Sequence, residues 1–66
     1  MPQLDINVDD EGSVFLFTPI STLAKEWVAA NLSLEGWQWL GHSFGVEHRF
    51  VVPIVEGMLA DGLRVA

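Results

Sequence analysis

Apolar and polar residues alternate over Leu4-Asp5-Ile6-Asn7-Val8, the period-two pattern of a half-buried strand. Asp9-Asp10-Glu11-Gly12 interrupts it as a turn, with glycine at the end, where a left-handed backbone is often needed. Ser13 to Phe17 is the return strand, and it is apolar on both faces: Val14 and Leu16 on one, Phe15 and Phe17 on the other. Such a strand either lies inside a sheet covered on both sides or turns one apolar face toward a partner. Thr18-Pro19 then predicts a helix start, a threonine cap with proline in the first turn. That helix is expected from Pro19 or Ser21 to Asn31. Leu23, Trp27 and Ala30 recur at spacings of four and three with Ala24 and Val28 beside them, a single apolar stripe from which Lys25 and Glu26 stand aside.

Asn31 to Gly36 is the exit and a short loop. Trp37 to Leu40 and His42 to Glu47 predict two short strands, or one strand bent near Gly41, since Gly41 and Gly45 mark a bulge or bend. In a continuous register Trp37 and Trp39 share one face, and Leu40, Phe44 and Val46 the other. A second helix is expected over about Arg49 to Ala60, with Phe50, Ile54, Val55, Met58 and Leu59 as its buried stripe. Pro53 fits only in a first turn, so the helix starts no earlier than about His48. Asp61-Gly62-Leu63 is a stop, with glycine just past the helix and leucine packing back onto it. Leu63 to Val65 follows as a final short strand. The predicted order is β-β-α-β-β-α-β: a small α+β fold, one domain over residues 1–66, with an antiparallel or mixed sheet and two helices packed on it.

Composition sharpens this sketch. Half of the residues are apolar, and three tryptophans and four phenylalanines share a chain of 66 residues. A chain of about 60 residues buries only ~60% of its unfolded surface. There is no cysteine, which excludes a disulfide and a cysteine-bound zinc. A dense aromatic core, an oligomer, or both must then support the fold, and some apolar surface is expected to be left over for docking. Nine carboxylates oppose three basic side chains, for a net charge of −6. That sign disfavours nucleic acid and anionic membranes and permits a partner with a basic surface. The apolar runs Phe15 to Phe17 and Phe50 to Ile54 fall far short of the ~20 residues that span a bilayer. The start, Met-Pro-Gln-Leu-Asp, lacks a leader pattern, so a soluble cytoplasmic protein is expected.

Candidate chemistry is sparse. His42, Glu47 and His48 form the one cluster with a catalytic look, but His-x-x-x-x-Glu-His matches neither zinc-protease spacing. Glu47 and His48 are expected at a strand-to-helix junction, satisfying backbone groups. Gly41-His42-Ser43-Phe44-Gly45 spells G-x-S-x-G, yet a nucleophile elbow needs a strand before it, a helix after it and a larger sheet. The scattered glycines make no phosphate loop. Base stacking on Trp37 and Trp39 lacks the neighbouring arginine or lysine it needs. Trp27 and Phe50 are expected in the core, whereas Trp37 and Trp39 fit core and contact surface equally. Asp5, Asp9, Asp10 and Glu11 cluster at the first hairpin. They are either a solvated surface or an acidic face that competes with nucleic acid for a basic groove. No catalytic, metal or cofactor residue is assigned. The candidate partner-binding residues are Asp5, Asp9, Asp10, Glu11, Trp37 and Trp39.

The segment Gly45-Val46-Glu47-His48-Arg49-Phe50, with Gly57-Met58-Leu59-Ala60-Asp61-Gly62-Leu63-Arg64-Val65 after it, resembles small acidic proteins of bacterial plasmids, prophages and other mobile elements. Phe15 to Pro19, Trp27 and the Trp37 to Gly41 stretch fit the same set. The resemblance implies a mobile-element context and transfers no activity or site residue. By size and charge, proteins of that context are similar in kind to anti-CRISPR and other anti-defence inhibitors. The leading expectation is a non-enzymatic interaction protein that binds and blocks a host protein or nucleic-acid-handling complex. A homodimeric accessory protein, such as a toxin–antitoxin component, is the second class. A small metal-dependent enzyme resting on His42, Glu47 and His48 is the third.

Overall fold

The computed structural model describes residues 3–34 and 36–66, and of Trp37 the backbone alone. The chain runs β1 (Ile6–Asp10), β2 (Val14–Pro19), α1 (Thr22–Asn31), a 3-10 turn (Gly36–Gln38), β3 (Trp39–Leu40), β4 (Ser43–Glu47) and α2 (His48–Ala60). The fold is α+β, with four antiparallel strands in the order β1-β2-β4-β3 and two helices.

The register explains which side chains meet the helices. Ile6 faces Pro19, Val8 faces Phe17, Phe17 faces Phe44 and Phe15 faces Val46 across neighbouring strands. Side chains alternate along each strand, so these residues share one face. Ile6, Phe17, Phe44 and Val46 are buried there with Ala24 and Val28 of α1, Met58 of α2 and Leu63. The Phe17 and Phe44 rings stack at 5.5 Å between centroids. Val14 and Leu16 fall on the opposite face, half-buried, with Thr18 bonded to Ser43 through their hydroxyls at 2.6 Å. Both helices therefore cover one side of the sheet, and β2 is interior in the strand order but helix-covered only on its phenylalanine face.

Local chemistry sets the element ends. Ser21, not Thr18, caps α1: its Oγ accepts from the Ala24 N–H at 3.0 Å. Thr18 and Pro19 instead finish β2, where proline ends the run of ladder donors. The first turn falls at residues 11–13 rather than over Asp9 to Gly12, because Asp10 still pairs with Phe15. Gly12 takes φ +91°, and its N–H donates to Asp10 Oδ1 at 2.9 Å. Of the expected strand from Trp37 to Leu40 only Trp39–Leu40 is strand, since Gly36–Gln38 form a 3-10 turn; a two-residue turn at Gly41-His42, with Gly41 at φ +66°, joins it to β4. This matches hairpin turns that place glycine first.

Helix α2 stops as expected. Gly62 adopts φ +87°, its N–H donates to the Leu59 carbonyl at 3.1 Å, and the Leu63 N–H donates to Met58 at 3.0 Å. That pair of bonds is the Schellman arrangement, and Leu63 packs back into the core beside Met58. The final strand, however, reduces to a single parallel bridge between Val65 and Ile6. The tail lies along the outer edge of β1, with the Ala66 N–H on the Ile6 carbonyl at 3.2 Å and the Ile6 N–H on the Arg64 carbonyl at 3.1 Å. Pro53 departs from expectation too. It sits in the second turn of α2, inside the helix, so the Arg49 carbonyl loses its usual donor.

Candidate docking surface

The buried stripes follow the expected ones in part: Ala24 and Val28 hold in α1 and Ile54, Val55 and Met58 in α2, whereas Leu23, Phe50 and Leu59 are exposed. In α1 the buried residues are Ala24 and Val28; Trp27 is half-buried, and Leu23 is 55% exposed. In α2 Met58 is buried, while Val51, Ile54 and Val55 are half-buried against the core. Phe50 is 47% exposed, which corrects its placement as a core ring. Trp27 lies against the other helix: a Cβ added at Gly57 would stand 3.3 Å from its Cζ2. Its indole N–H donates to Asp61 Oδ2 at 2.6 Å. Trp27 thus clips the side of α1 to the C-terminal end of α2.

Between these elements runs an apolar groove. Its first part, of about 390 Å³, is lined by Leu32, Ser33 and Leu34 after α1, by Gln38 and Leu40, by Val14 with Gly45, Val46 and Glu47, and by Phe50 and Ile54. A second part shares Leu32, Phe50 and Ile54 and continues along Trp27, Asn31, Pro53 and Gly57. The groove exists because β3 is short. It pairs only with Phe44 and Ser43, so Gly45 to Glu47 of β4 run on with no β3 partner. Gly45 adds no side chain, and Val14 of β2 comes to the surface beside it.

The candidate residues divide. Asp9, Asp10 and Glu11 are all exposed at the tip of the first hairpin. That tip adjoins the groove, since the Glu11 N–H donates to the carbonyl of Val14, a lining residue, at 2.9 Å. Asp5 is engaged inside the molecule. Its carboxylate accepts from Ser21 Oγ at 2.6 Å and from the Arg64 N–H at 2.8 Å. Hydrogen bonds from Ser21 and from the Arg64 backbone hold the Asp5 carboxyl below its ordinary value against the opposing effect of burial, with a lesser contribution from the Arg64 charge. Trp39 is 37% exposed and packs edge-on against Phe44 at 5.2 Å. It shares a face with Phe44, because β3 folds back on β4 rather than continuing it. The Trp37 side chain lies outside the described residues. Leu40, 63% exposed at the groove rim, and Phe50 are surface residues that sequence reasoning missed. Their signal was an apolar residue beside a glycine turn and a phenylalanine three positions before a helical proline.

The cluster with a catalytic look comes apart. His42 is exposed on the Gly41-His42 turn, while Glu47 and His48 stand at the junction of β4 and α2. Glu47 makes no capping bond there; it pairs with Arg49 Nε at 3.2 Å, and both side chains are largely exposed. His48 meets the Phe15 ring edge-on at 4.8 Å. Gly41 to Gly45 is the turn between β3 and β4 and the start of β4, followed by strand rather than helix, with the Ser43 hydroxyl bonded to that of Thr18. Among the described residues no group of three or more His, Asp or Glu side chains comes together to hold a metal ion. No helix among them is long and apolar enough to cross a membrane.

The chain matches no protein-family model, no curated protein and no solved structure.

Proposed function

We propose that the protein is a non-enzymatic binding module that docks on a basic surface of a partner protein and blocks it. The observation that carries this reading is the open apolar groove, with Phe50 and Leu40 uncovered on it, next to an exposed acidic hairpin on a chain of net charge −6. Leaving such side chains in water costs the molecule on the order of 25 cal/mol per Å² of apolar area. A partner that covers them recovers that energy. The carboxylates steer the approach and select basic surfaces over acidic ones. Proteins that grip nucleic acid carry such surfaces, so a host defence complex of the CRISPR type fits this charge, in keeping with a mobile-element origin.

The test is charge reversal of the hairpin, Asp9→Lys with Asp10→Lys and Glu11→Lys, measured against a partner identified by cross-linking. Association is expected to slow strongly and to lose most of its salt dependence. An unchanged rate and unchanged salt response would rule out the steering role.

A further inference from the structure

The groove and the acidic hairpin occupy the same end of the sheet, and their juxtaposition defines the chemistry of an occupant. Asp10 pairs with Phe15, and Phe15 pairs with Val46 on the groove. Two strand spacings of about 4.8 Å separate Asp10 from Val46 along that row. Val14, on the groove, pairs with Glu47, which is also on the groove, and its carbonyl is bonded to Glu11. Glu47 thus lines one end of the apolar trough, and Glu11, Asp10 and Asp9 stand on the hairpin tip beside that end. Arg49 is close by, with its guanidinium over the Phe50 ring at 4.8 Å and paired to Glu47 by an exposed ion pair that an incoming cation can exchange at little cost.

From this geometry we propose, resting on the reading above, that the groove seats a peptide segment of the partner that carries large apolar side chains flanked by lysine or arginine. An apolar side chain enters between Leu34, Leu40, Phe50 and Ile54. The flanking cations reach Glu47 and the carboxylates of the hairpin. Lysine and arginine suit this arrangement because their aliphatic stems run along apolar surface while the charged ends stay in water. A second copy of the chain is the poorer occupant: it brings another net charge of −6 to an acidic rim.

The experiment uses fluorescence anisotropy with four labelled synthetic peptides of one length. The first intersperses leucine and phenylalanine with lysine. The second replaces its leucine and phenylalanine by serine, the third replaces lysine by glutamine, and the fourth replaces lysine by glutamate. The first is expected to bind the whole protein at least about tenfold more tightly than each of the others. Phe50→Ser and, separately, Leu40→Ser are each expected to weaken it about tenfold or more. Ile20→Ser, an exposed apolar site just past the end of β2 away from Val14 and lining neither part of the groove, is expected to leave it unchanged. Using Leu40→Ser as well keeps the test decisive should Phe50→Ser fail to fold, as judged by far-ultraviolet circular dichroism.

Equal binding of the serine peptide overturns the apolar seat but leaves a charge-steered module standing, as does tight binding indifferent to both groove variants. Equal binding of the glutamine peptide overturns the basic flanks. Binding of none of the peptides overturns the proposal. So does a dimer seen by light scattering that Leu40→Ser converts to monomer, because the groove is then covered by a second copy.

Discussion

Asp5 shows how much one side chain can do in so small a body. Its carboxylate joins the start of β1, the Ser21 cap of α1 and the tail that follows α2, and its own carbonyl accepts from the Ile20 N–H at 2.8 Å. The folded carboxyl lies below its ordinary value because these bonds favour the ionised form. The unfolded chain therefore binds the proton more tightly. The stabilisation is complete above the ordinary value of 3.8, and it fades as pH falls through the lower folded value. Thermal melts on a pH series are expected to show stability dropping below about pH 4, and Asp5→Asn is expected to flatten that part of the profile. Gly62 is the second such residue. At φ +87° an L side chain is strained, so Gly62→Ala should cost about 1–2 kcal/mol in chemical denaturation. The two residues were not equally legible. Gly62 announces itself by standing after a helical run and before a leucine. The alternating pattern puts Asp5 on the solvent side of its strand, which is why it looked like a docking carboxylate. The partners that claim it lie 16 and 59 positions away, beyond the reach of local periodicity.

At the scale of elements, the strands and helices followed the apolar pattern, as did the faces of β2 and the stops of both helices, whereas the start of α1, the extent of β3 and part of each helix stripe did not. The alternation in the first two segments gave a true hairpin because Gly12 supplies the turn it needs. The α1 stripe was misplaced by about one residue, since Leu23, Trp27 and Ala30 are spaced as well as Ala24 and Val28. Closeness decides between them: small Ala24 lets the helix sit against the sheet, and bulky Trp27 is displaced to the side, where Gly57 leaves room for it. A larger residue at 57 should disturb that contact. Gly57→Val is expected to destabilise by about 1–3 kcal/mol and to change tryptophan emission. Pro53 makes the opposite prediction. It is exposed and deprives the helix of a bond to Arg49. Pro53→Ala should raise stability by up to about 3 kcal/mol, read as a later denaturation midpoint. A drop would mean that the ring serves the groove wall it lines.

For the whole molecule, the aromatic surplus read from composition resolves unevenly. Phe17 and Phe44 are fully enclosed, Phe15 and Trp27 are half-buried, and Trp39 and Phe50 reach the surface. Both helices lie on one side of the sheet because Phe17, Phe44, Ile6 and Val46 all face that way. Composition indicated that a face would be left over, but could not say which. The choice follows from β3 beginning only at Trp39, because Gly36–Gln38 form a 3-10 turn instead of extending the strand opposite Gly45 to Glu47. The proposed docking surface is thus a gap beside the two-residue β3, with the acidic tip of the first hairpin near one end of it. Filling it should bury apolar area, and a negative heat-capacity change on binding reports such burial directly. Isothermal titration calorimetry over a range of temperatures, with the lysine, leucine and phenylalanine peptide and with wild-type and Phe50→Ser protein, is the most direct test. A clearly negative heat-capacity change, largely lost in Phe50→Ser, is the predicted result. Binding with a heat-capacity change near zero, the same in both proteins, would contradict an apolar docking groove.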